Sequence, residues 1–272
     1  MGGPDQRGAD DCPSHERSAR PRRLSRVTRG AARIRGGSLR PILFFSCEHG
    51  GNRIPAPLRP LFRGSRLLAS HRGIDVGALH SARILAAELE APLFYSDVSR
   101  LVVDLNRSLG SPSLHCARIQ ALPEQERRAI VYEHYTPYRR TVAEHVASAV
   151  KHGTAIHLSI HSFAPVFRGE VRDSDIGLLF DPARPTEVRF ARALGRRLKG
   201  VFPDLRVRSN QPYQGTDDGQ TTDLRKLHPE SRYVGIEIEF NQRRMKRWMK
   251  SGRLAREMSA ASAAIRSVME SC

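Results

Sequence analysis

The chain has 272 residues, of which 39% are hydrophobic, and no apolar run approaches membrane-spanning length, so we expect one soluble domain around one core. The formal net charge is +17 at pH 7, yet lysine occurs at only five positions, and no helix-turn-helix, zinc-finger or RNP-like pattern accompanies the arginines. These features exclude a membrane protein and a protein that binds nucleic acid sequence-specifically. The positive charge then predicts only non-specific attraction to polyanions. The cysteines show no paired spacing, which favours reduced thiols and a cytoplasmic location; they are Cys12, Cys47, Cys116 and Cys272.

Residues 1–40 differ from the rest of the chain. They are rich in Arg, Gly, Ser and Pro, hold few large apolar residues and show neither a helical nor a strand period. Such a segment cannot bury enough surface to offset the entropy lost on ordering. We therefore predict a disordered, Arg-rich tail over residues 1–40 and a single domain over residues 41–272.

Residues 41–55, PILFFSCEHGGNRIP, contain the first candidate site. The apolar run from Ile42 to Phe45 is typical of a strand buried on both faces of a sheet, and it stops at Glu48 and His49, just before two glycines. Open α/β sheets bind ligands where their strands end, and glycine lets the backbone approach a ligand closely. The alternative is a polar turn that caps a core strand.

A helix is predicted next along the chain. After a short helical stretch at residues 58–62, Asp75 precedes apolar residues at helical spacing through about Glu90, so we expect Asp75 to be the N-cap of this helix. A cap alone is the simpler interpretation of Asp75. A second strand is predicted at residues 92–95.

Residues 99–108, SRLVVDLNRS, repeat the pattern of an apolar run followed by polar side chains. The run LVV is predicted to form a short buried strand. The planar guanidinium of Arg107 can grip a carboxylate with two hydrogen bonds, and Asn106 adds a further donor. We interpret this pair as an anion-binding site, whereas Arg100 has the simpler prediction of an ion pair with Asp104.

The middle of the chain is predicted to be helical and then to return to the sheet. Residues 123–152 carry an apolar stripe at helical spacing, and Pro137 is expected to kink or split this helix. The strand TAIHLSI at residues 154–160 follows, with His161 at its end. Two neutral imidazoles, here those of His49 and His161, together with a carboxylate form the ligand set of a hydrolytic zinc with an open position.

Two loops in the second half carry further candidates. Arg168 lies in a charged loop at residues 167–175, where it meets either an anionic substrate or the neighbouring acids. Tyr213 lies in a Gly/Asn/Pro-rich loop at residues 210–219, a composition typical of lids and pocket walls, and it either donates a hydrogen bond to substrate or anchors the loop. The elements predicted around these loops are a strand at 176–180, a helix at 186–199 and a strand at 205–208.

The last predicted strand, YVGIEIEF at residues 233–240, presents Glu237 and Glu239 on one face, because side chains alternate along a strand. Two carboxylates on one face of a central strand are unfavourable unless they are paired or catalytic. A helix at residues 245–269 is expected to close the domain.

Taken in order, the motifs CEHGGNRIP, IDVGA, SRLVVDLNRS, SIHSF, NQPYQG and GIEIEFNQ resemble the N-formylglutamate amidohydrolase family over about residues 41–245. The resemblance implies a phosphorylase/hydrolase-like fold, a three-layer α/β/α arrangement with a mixed, mostly parallel sheet, related to zinc carboxypeptidases and aspartoacylases. That wider group binds its metal at the ends of adjacent strands and its substrate carboxylate with an Asn-Arg pair. Asn106 and Arg107 match that pair.

The chain departs from the wider group at one metal ligand. The group's first ligand pair is a histidine with a glutamate three residues on, whereas His49 is followed at that spacing by Asn52. A carboxylate from elsewhere must then complete the site with His49 and His161, and Asp75 is the first choice and Glu48 the second. The expected ion is Zn²⁺, with another divalent metal as the alternative.

The resemblance implies a metal-dependent amidohydrolase that acts on a small N-acyl amino acid, with N-formyl-L-glutamate first among the substrates. Glu239 would be the general base, Asn106 and Arg107 would bind one carboxylate, and Arg168 or Tyr213 the other. The alternatives are a metallo-amidase or carboxypeptidase for another N-acyl or peptide substrate, and a non-catalytic, basic, nucleic-acid-associated protein. The sequence does not indicate the oligomeric state.

Overall fold

The computed structural model describes residues 41–271, and the tail predicted for residues 1–40 lies outside these described residues. The strands are β1 (Ile42–Cys47), β2 (Leu93–Tyr95), β3 (Ala155–Phe163), β4 (Val166–Phe167), β5 (Glu170–Val171), β6 (Ile176–Leu179), β7 (Val207–Ser209) and β8 (Tyr233–Asn241). Six of them form one sheet in the order β2-β1-β3-β8-β6-β7, while β4 and β5 form a separate hairpin.

The central sheet is mixed and mostly parallel. β1 runs parallel to β2 and β3, and β3 runs parallel to β8. The chain reverses at β6, which is antiparallel to β8, and β7 follows β6 in parallel. This topology, with helices on both faces, confirms the predicted three-layer α/β/α class.

The helices lie in two layers around the sheet. They are α1 (Ala78–Glu88), α2 (Ala117–Gln120), α3 (Glu124–Ile130), α4 (Thr136–His152), α5 (Pro185–Val201), α6 (Gln220–Leu227), α7 (Gln242–Lys250) and α8 (Leu254–Met269). One face of the sheet packs against α1, α5 and α8, with Leu85, Leu194 and Ile265 in that core. The other face packs against α4 through Val142 and Val146. No helix within residues 41–271 has the length and apolar character needed to cross a membrane.

Strand register brings polar residues to one end of the sheet. Ser46 of β1 pairs with Ser159 of β3, and His161 of β3 pairs with Glu239 of β8. His49 follows the end of β1 by two residues. Since β1, β3 and β8 are parallel, their carboxyl ends meet at the same edge, which is where open α/β sheets bind ligands.

The helical region of residues 123–152 is split as predicted. α3 ends at Ile130, the segment Val131–Tyr135 is a π-helical turn, and Pro137 lies in the first turn of α4. Proline lacks an N–H and its ring clashes with the carbonyl of the preceding turn, and the wider π turn accommodates both effects. The Tyr135 hydroxyl then donates to the carbonyl oxygen of Arg107 at 2.8 Å, so this turn supports the predicted anion site.

The prediction that Asp75 caps a helix was wrong. α1 begins at Ala78, directly after Gly77 at the cap position, and no side chain caps it. The Asp75 carboxylate instead lies beside the imidazoles of His49 and His161.

Three element boundaries also differ from the predictions. Residues 101–103 are buried but lie outside the strands, and Val102 N donates to the Ser99 carbonyl at 2.9 Å, which closes a turn. His161 lies inside β3, which continues to Phe163. The final helix is two helices, since Gly252 between them has a φ of 68°, a left-handed conformation that ends a helix.

Candidate active site

A cleft of about 770 Å³ opens at the carboxyl edge of β1, β3 and β8. Most predicted site residues line it, namely His49, Asp75, Asn106, Arg107, His161, Arg168, Tyr213 and Glu239. Glu48, the remaining candidate, is buried behind the cleft.

Three buried side chains form a compact group at the base of the cleft. His49, Asp75 and His161 each offer one ligand atom, and these atoms lie within 4.8 Å of one another. Asp75 Oδ2 is 3.0 Å from His161 Nδ1 and 3.4 Å from His49 Nδ1. The arrangement has the donor types and spacing of a metal site with two imidazoles and one carboxylate.

The local backbone explains how Asp75 reaches the two histidines. Asp75 N donates to the carbonyl oxygen of His49 at 3.1 Å, which ties this segment to the end of β1. Asp75 Oδ2 also accepts a hydrogen bond from Ser162 N at 3.3 Å, which fixes it against the end of β3. Asp75 therefore joins two strand ends that are far apart in the sequence.

Both imidazoles also contact a second carboxylate on their outer side. His49 Nε2 lies 2.7 Å from Asp104 Oδ1, and His161 Nε2 lies 3.0 Å from Glu48 Oε2. Glu48 thus contacts the nitrogen of His161 that faces away from Asp75, and it is not a member of the three-residue group.

The carboxylates and imidazoles shift each other's protonation. Burial lowers the pKa of His161, but Asp75 and Glu48 outweigh burial and hold this pKa well above its usual range. Burial raises the pKa of Asp75, but His49, His161 and Arg100 together hold it below its usual range. Asp75 is therefore ionised at neutral pH while His161 holds an extra proton, and a bound cation would have to displace the proton on each ligating nitrogen.

Glu239 differs from every other carboxylate in the cleft. Within the described residues, its Oε2 atom is buried and has no hydrogen-bond partner. Burial raises the pKa of Glu239 to about 8, because the counteracting effect of His161 is smaller than the cost of desolvation. Its neighbour Glu237 is paired, and accepts from Thr221 Oγ1 at 2.7 Å. Of the two same-face carboxylates, only Glu239 is left with an oxygen free to take part in proton transfer.

A glycine allows the loop at residues 210–219 to form a wall of the cleft beside Glu239. Gly177 of β6 pairs with Glu239, and a Cβ at this position would lie 2.0 Å from the carbonyl oxygen of Gln211. Any larger residue would push this loop away from the sheet. The loop carries Tyr213 into the cleft.

Asn106 and Arg107 are held in place at the opposite wall. Asn106 Oδ1 accepts from Gln220 N at 2.7 Å, and Arg107 Nη1 donates to the carbonyl oxygen of Asp218 at 2.6 Å. These contacts use one guanidinium nitrogen of Arg107 and orient the group. The side chain lines the cleft beside Asn106.

Arg168 and Tyr213 lie at the mouth of the cleft. Arg168 is at the turn of the β4–β5 hairpin, which forms within the predicted charged loop. Tyr213 accepts a hydrogen bond from Arg172 Nη1 at 2.9 Å, and Arg172 also stacks on the rings of Tyr213 and Phe167. Since Arg172 is the donor, the Tyr213 hydroxyl keeps its own proton for a substrate acceptor.

Sequence reasoning missed the outer partners of the two histidines. Asp104 was predicted only to pair with Arg100, and it does so at 2.7 Å while it also contacts His49. Ser159, which donates to Glu48 at 2.7 Å, was not considered. Strand alternation could have identified it, because Ser159 and His161 are two residues apart and share a face of β3.

The profile of the N-formylglutamate amidohydrolase family matches residues 41–245. Among solved structures, the gene product Atu2144 from Agrobacterium tumefaciens is similar, with 30% identity and a TM-score of 0.69, over 84% of this chain and 89% of that one. A bacteriophage poly-gamma-glutamate hydrolase is 11% identical with a TM-score of 0.44, over 85% of this chain and 84% of that one. A likeness at that level indicates no function.

A comparison with curated protein sequences gives no match. The family profile nevertheless spans the segment from the start of β1 to α7, which contains all the candidate site residues. The chain belongs to the N-formylglutamate amidohydrolase family.

Proposed function

We propose that this protein hydrolyses the amide bond of a small N-acyl amino acid, with N-formyl-L-glutamate as the first substrate to test. Membership of an amidohydrolase family supports amide hydrolysis and favours catalysis over a non-catalytic role. The observation that carries the proposal is one cleft that holds the group His49, Asp75 and His161 together with the unpartnered carboxyl oxygen of Glu239.

The three-residue group fits a divalent cation. Two imidazole nitrogens and one carboxylate oxygen are the donor set of hydrolytic zinc sites, in which a fourth position stays open. Asn52, at the position of the glutamate ligand of the wider group, offers no carboxylate, and its Nδ2 atom donates to the Leu68 carbonyl oxygen at 3.1 Å. When bound by His49, Asp75 and His161, Zn²⁺ supplies Lewis-acid activation of water and of the amide carbonyl. Another divalent metal with the same ligand preferences remains the alternative.

Glu239 transfers the proton in this proposal. Its Oε2 atom takes the proton of the attacking water and passes it to the leaving amine nitrogen, acting first as a general base and then as a general acid. A carboxyl group whose pKa is raised to about 8 is suited to both roles near neutral pH. A cation beside His161 favours the charged form of Glu239, and so prepares it as a base.

The arginines and Tyr213 bind the amino-acid part of the substrate. The free edge of the Arg107 guanidinium grips one carboxylate with Asn106 beside it, and Arg168 or the Tyr213 hydroxyl receives the second. These contacts lie away from the amide bond that is broken. The binding energy they supply positions the amide against Glu239 and so raises the rate of hydrolysis.

A formate-release assay tests the proposal. We expect N-formyl-L-glutamate to be hydrolysed, the activity to disappear on treatment with a chelator, and Zn²⁺ to restore it. Full activity in chelator-treated, metal-free protein would contradict metal dependence.

The enzyme is predicted to work in the cytoplasm with reduced thiols, and Cys47 and Cys116 are unpaired in the structure.

The size of the cleft supports a second candidate substrate class. A volume of about 770 Å³ lies toward the upper end of the range for pockets that bind drug-sized ligands, and N-formylglutamate is smaller than such ligands. A longer N-acyl amino acid or a short peptide would fill more of this space. A panel of N-formyl, N-acetyl and peptide substrates, compared by kcat/KM, separates the two candidates.

A further inference from the structure

The Glu48 carboxylate is saturated with hydrogen bonds. Oε1 accepts from the Tyr138 hydroxyl at 3.0 Å and from Gln220 Nε2 at 3.1 Å. Oε2 accepts from Ser159 Oγ at 2.7 Å and lies 3.0 Å from His161 Nε2. Ser159 Oγ also lies 2.9 Å from His161 Nε2, so the hydroxyl and the carboxylate meet this nitrogen together. A carboxylate offers about four lone-pair sites, so these partners occupy Glu48 fully and leave no site for an ion.

Asp104 is saturated in the same way behind the other histidine. Oδ2 accepts from Arg100 Nε at 3.1 Å and from Arg100 Nη2 at 2.7 Å. Oδ1 accepts from Asn106 N at 2.9 Å and lies 2.7 Å from His49 Nε2. Glu48 and Asp104 therefore play equivalent parts around two different imidazoles.

Asp75 is held more loosely than either of these carboxylates. Its contacts with His49 Nδ1, Ser162 N and Arg100 Nη1 measure 3.4, 3.3 and 3.5 Å, and only the contact with His161 Nδ1 is as short as 3.0 Å. Both histidines face Asp75 with Nδ1. An ion bound by all three side chains would therefore contact each histidine at its Nδ1 atom.

We propose that Glu48, together with the Ser159 hydroxyl that it holds, and Asp104 are positioning residues that accept the Nε2–H groups of His161 and His49 and thereby present both Nδ1 atoms to a divalent cation. The inference rests on the proposed function, because it takes the cation to be bound by His49, Asp75 and His161. An acceptor on one ring nitrogen fixes the tautomer and the ring plane, and it makes the other nitrogen a better ligand. Glu48, the second choice from the sequence for a metal ligand, is thereby assigned to orienting His161.

Burial around Glu48 favours this assignment over direct ligation. To bind an ion, Glu48 would have to turn away from Tyr138 and Gln220, both of which are buried. Each would then lose a hydrogen bond in a place that water does not reach, and an unsatisfied buried polar group is destabilising by about 1–3 kcal/mol.

Nitrogen NMR of the unsubstituted protein tests the proposal without any risk to folding. In Zn²⁺-loaded protein with ¹⁵N-labelled histidine, we expect His49 and His161 to show a metal-bound Nδ1 and a protonated Nε2. Coordination of either histidine through Nε2 would overturn the inference while leaving the proposed function standing. If the wild-type protein binds no Zn²⁺, both the metal-dependent function and this inference fail.

Zinc affinity, measured by competition with a chromophoric chelator, provides a second test. Glu48→Gln is expected to weaken Zn²⁺ binding by about 10–100-fold, the usual effect of losing an outer partner of a metal-bound histidine, and Asp75→Asn is expected to weaken it further. Glu187→Gln is the matched control, since Glu187 is buried and hydrogen-bonded to Arg225, Asp181 N and Gly235 N. An affinity loss for Glu48→Gln that equals the loss for Asp75→Asn, or that Glu187→Gln reproduces, would overturn the inference.

Discussion

Strand β3 carries two buried histidines whose surroundings differ completely. His157 lies between two hydroxyl groups, with Nε2 2.7 Å from Ser46 Oγ and Nδ1 2.8 Å from Tyr233 Oη, and it stacks on Phe44. Four residues on, His161 lies between the carboxylates of Asp75 and Glu48.

The two environments produce opposite protonation. Burial lowers the pKa of His157 to about 3, so this histidine is neutral and part of the core. At His161 the two carboxylates outweigh burial and raise the pKa well above its usual range. A histidine in a central strand is therefore not a functional signal by itself, and its partners decide its role.

The neighbouring strand shows the same contrast. On the neighbouring strand β8, Gly235 pairs with His157, whereas Glu239 pairs with His161. At the end of the β3–β8 pair beside His157, the Gly235 backbone binds a buried ion pair formed by Arg225 and Glu187. The other end, which we call the charged end, collects carboxylates, imidazoles and arginines around an open cleft. We regard this difference between the two ends as the structural basis of the proposed activity.

The largest expected effect is at Glu239. Glu239→Gln removes the proton acceptor with little change in shape, so kcat should fall by about 10²–10⁴-fold while substrate affinity stays nearly constant. Steady-state formate release measures both quantities. Glu237→Gln is the control on the same face of β8, and an equal fall in kcat for this control would contradict a specific role for Glu239.

The charged end should also discriminate between substrates. Arg107→Ala is expected to lower kcat/KM for a substrate with a carboxylate by about 10–100-fold, since a hydrogen bond to a charged group contributes about 1.5–3 kcal/mol. A neutral N-acyl amide should lose far less. The ratio of the two kcat/KM values is the measurement, and equal losses for both substrates would reject the carboxylate clamp.

The buried, neutral His157 predicts a pH-dependent stability. The pKa of His157 is about 3 in the folded state and near 6.5 when unfolded, so the unfolded chain binds the extra proton. The contribution of neutral His157 to the free energy of unfolding is therefore fully present above about pH 6.5 and is lost as the pH falls towards 3. For one proton, the free energy of unfolding should decrease by about 1.4 kcal/mol per pH unit within this window.

Urea denaturation of wild type and His157→Gln measures this effect, with a chelator present so that metal release does not contribute. The stability difference between the two proteins should be about 2 kcal/mol larger at pH 7.5 than at pH 5. A difference that does not change with pH would mean that His157 is not buried in its neutral form.

Apolar runs and strand alternation predicted most strands and helices, because they are local patterns, whereas the three-layer arrangement followed from the family resemblance. The sequence correctly predicted the split before Pro137, since the missing N–H acts within one helical turn. Asp75 was predicted both as a helix cap, which was wrong, and as the first-choice carboxylate beside His49 and His161, the latter 86 residues further along the chain. The sequence ranked Asp75 before Glu48 as the metal-binding carboxylate but could not decide between them, because that choice depends on which nitrogen of His161 each carboxylate faces.

Metal content of the two β3 histidine variants tests the central claim most directly. Wild type, His157→Gln and His161→Gln would each be reconstituted with Zn²⁺, desalted and measured by elemental analysis. We predict about one ion per chain in wild type and His157→Gln, and far less in His161→Gln. Wild-type zinc content in His161→Gln, or no zinc in wild type, would contradict the metal site at the charged end of β3.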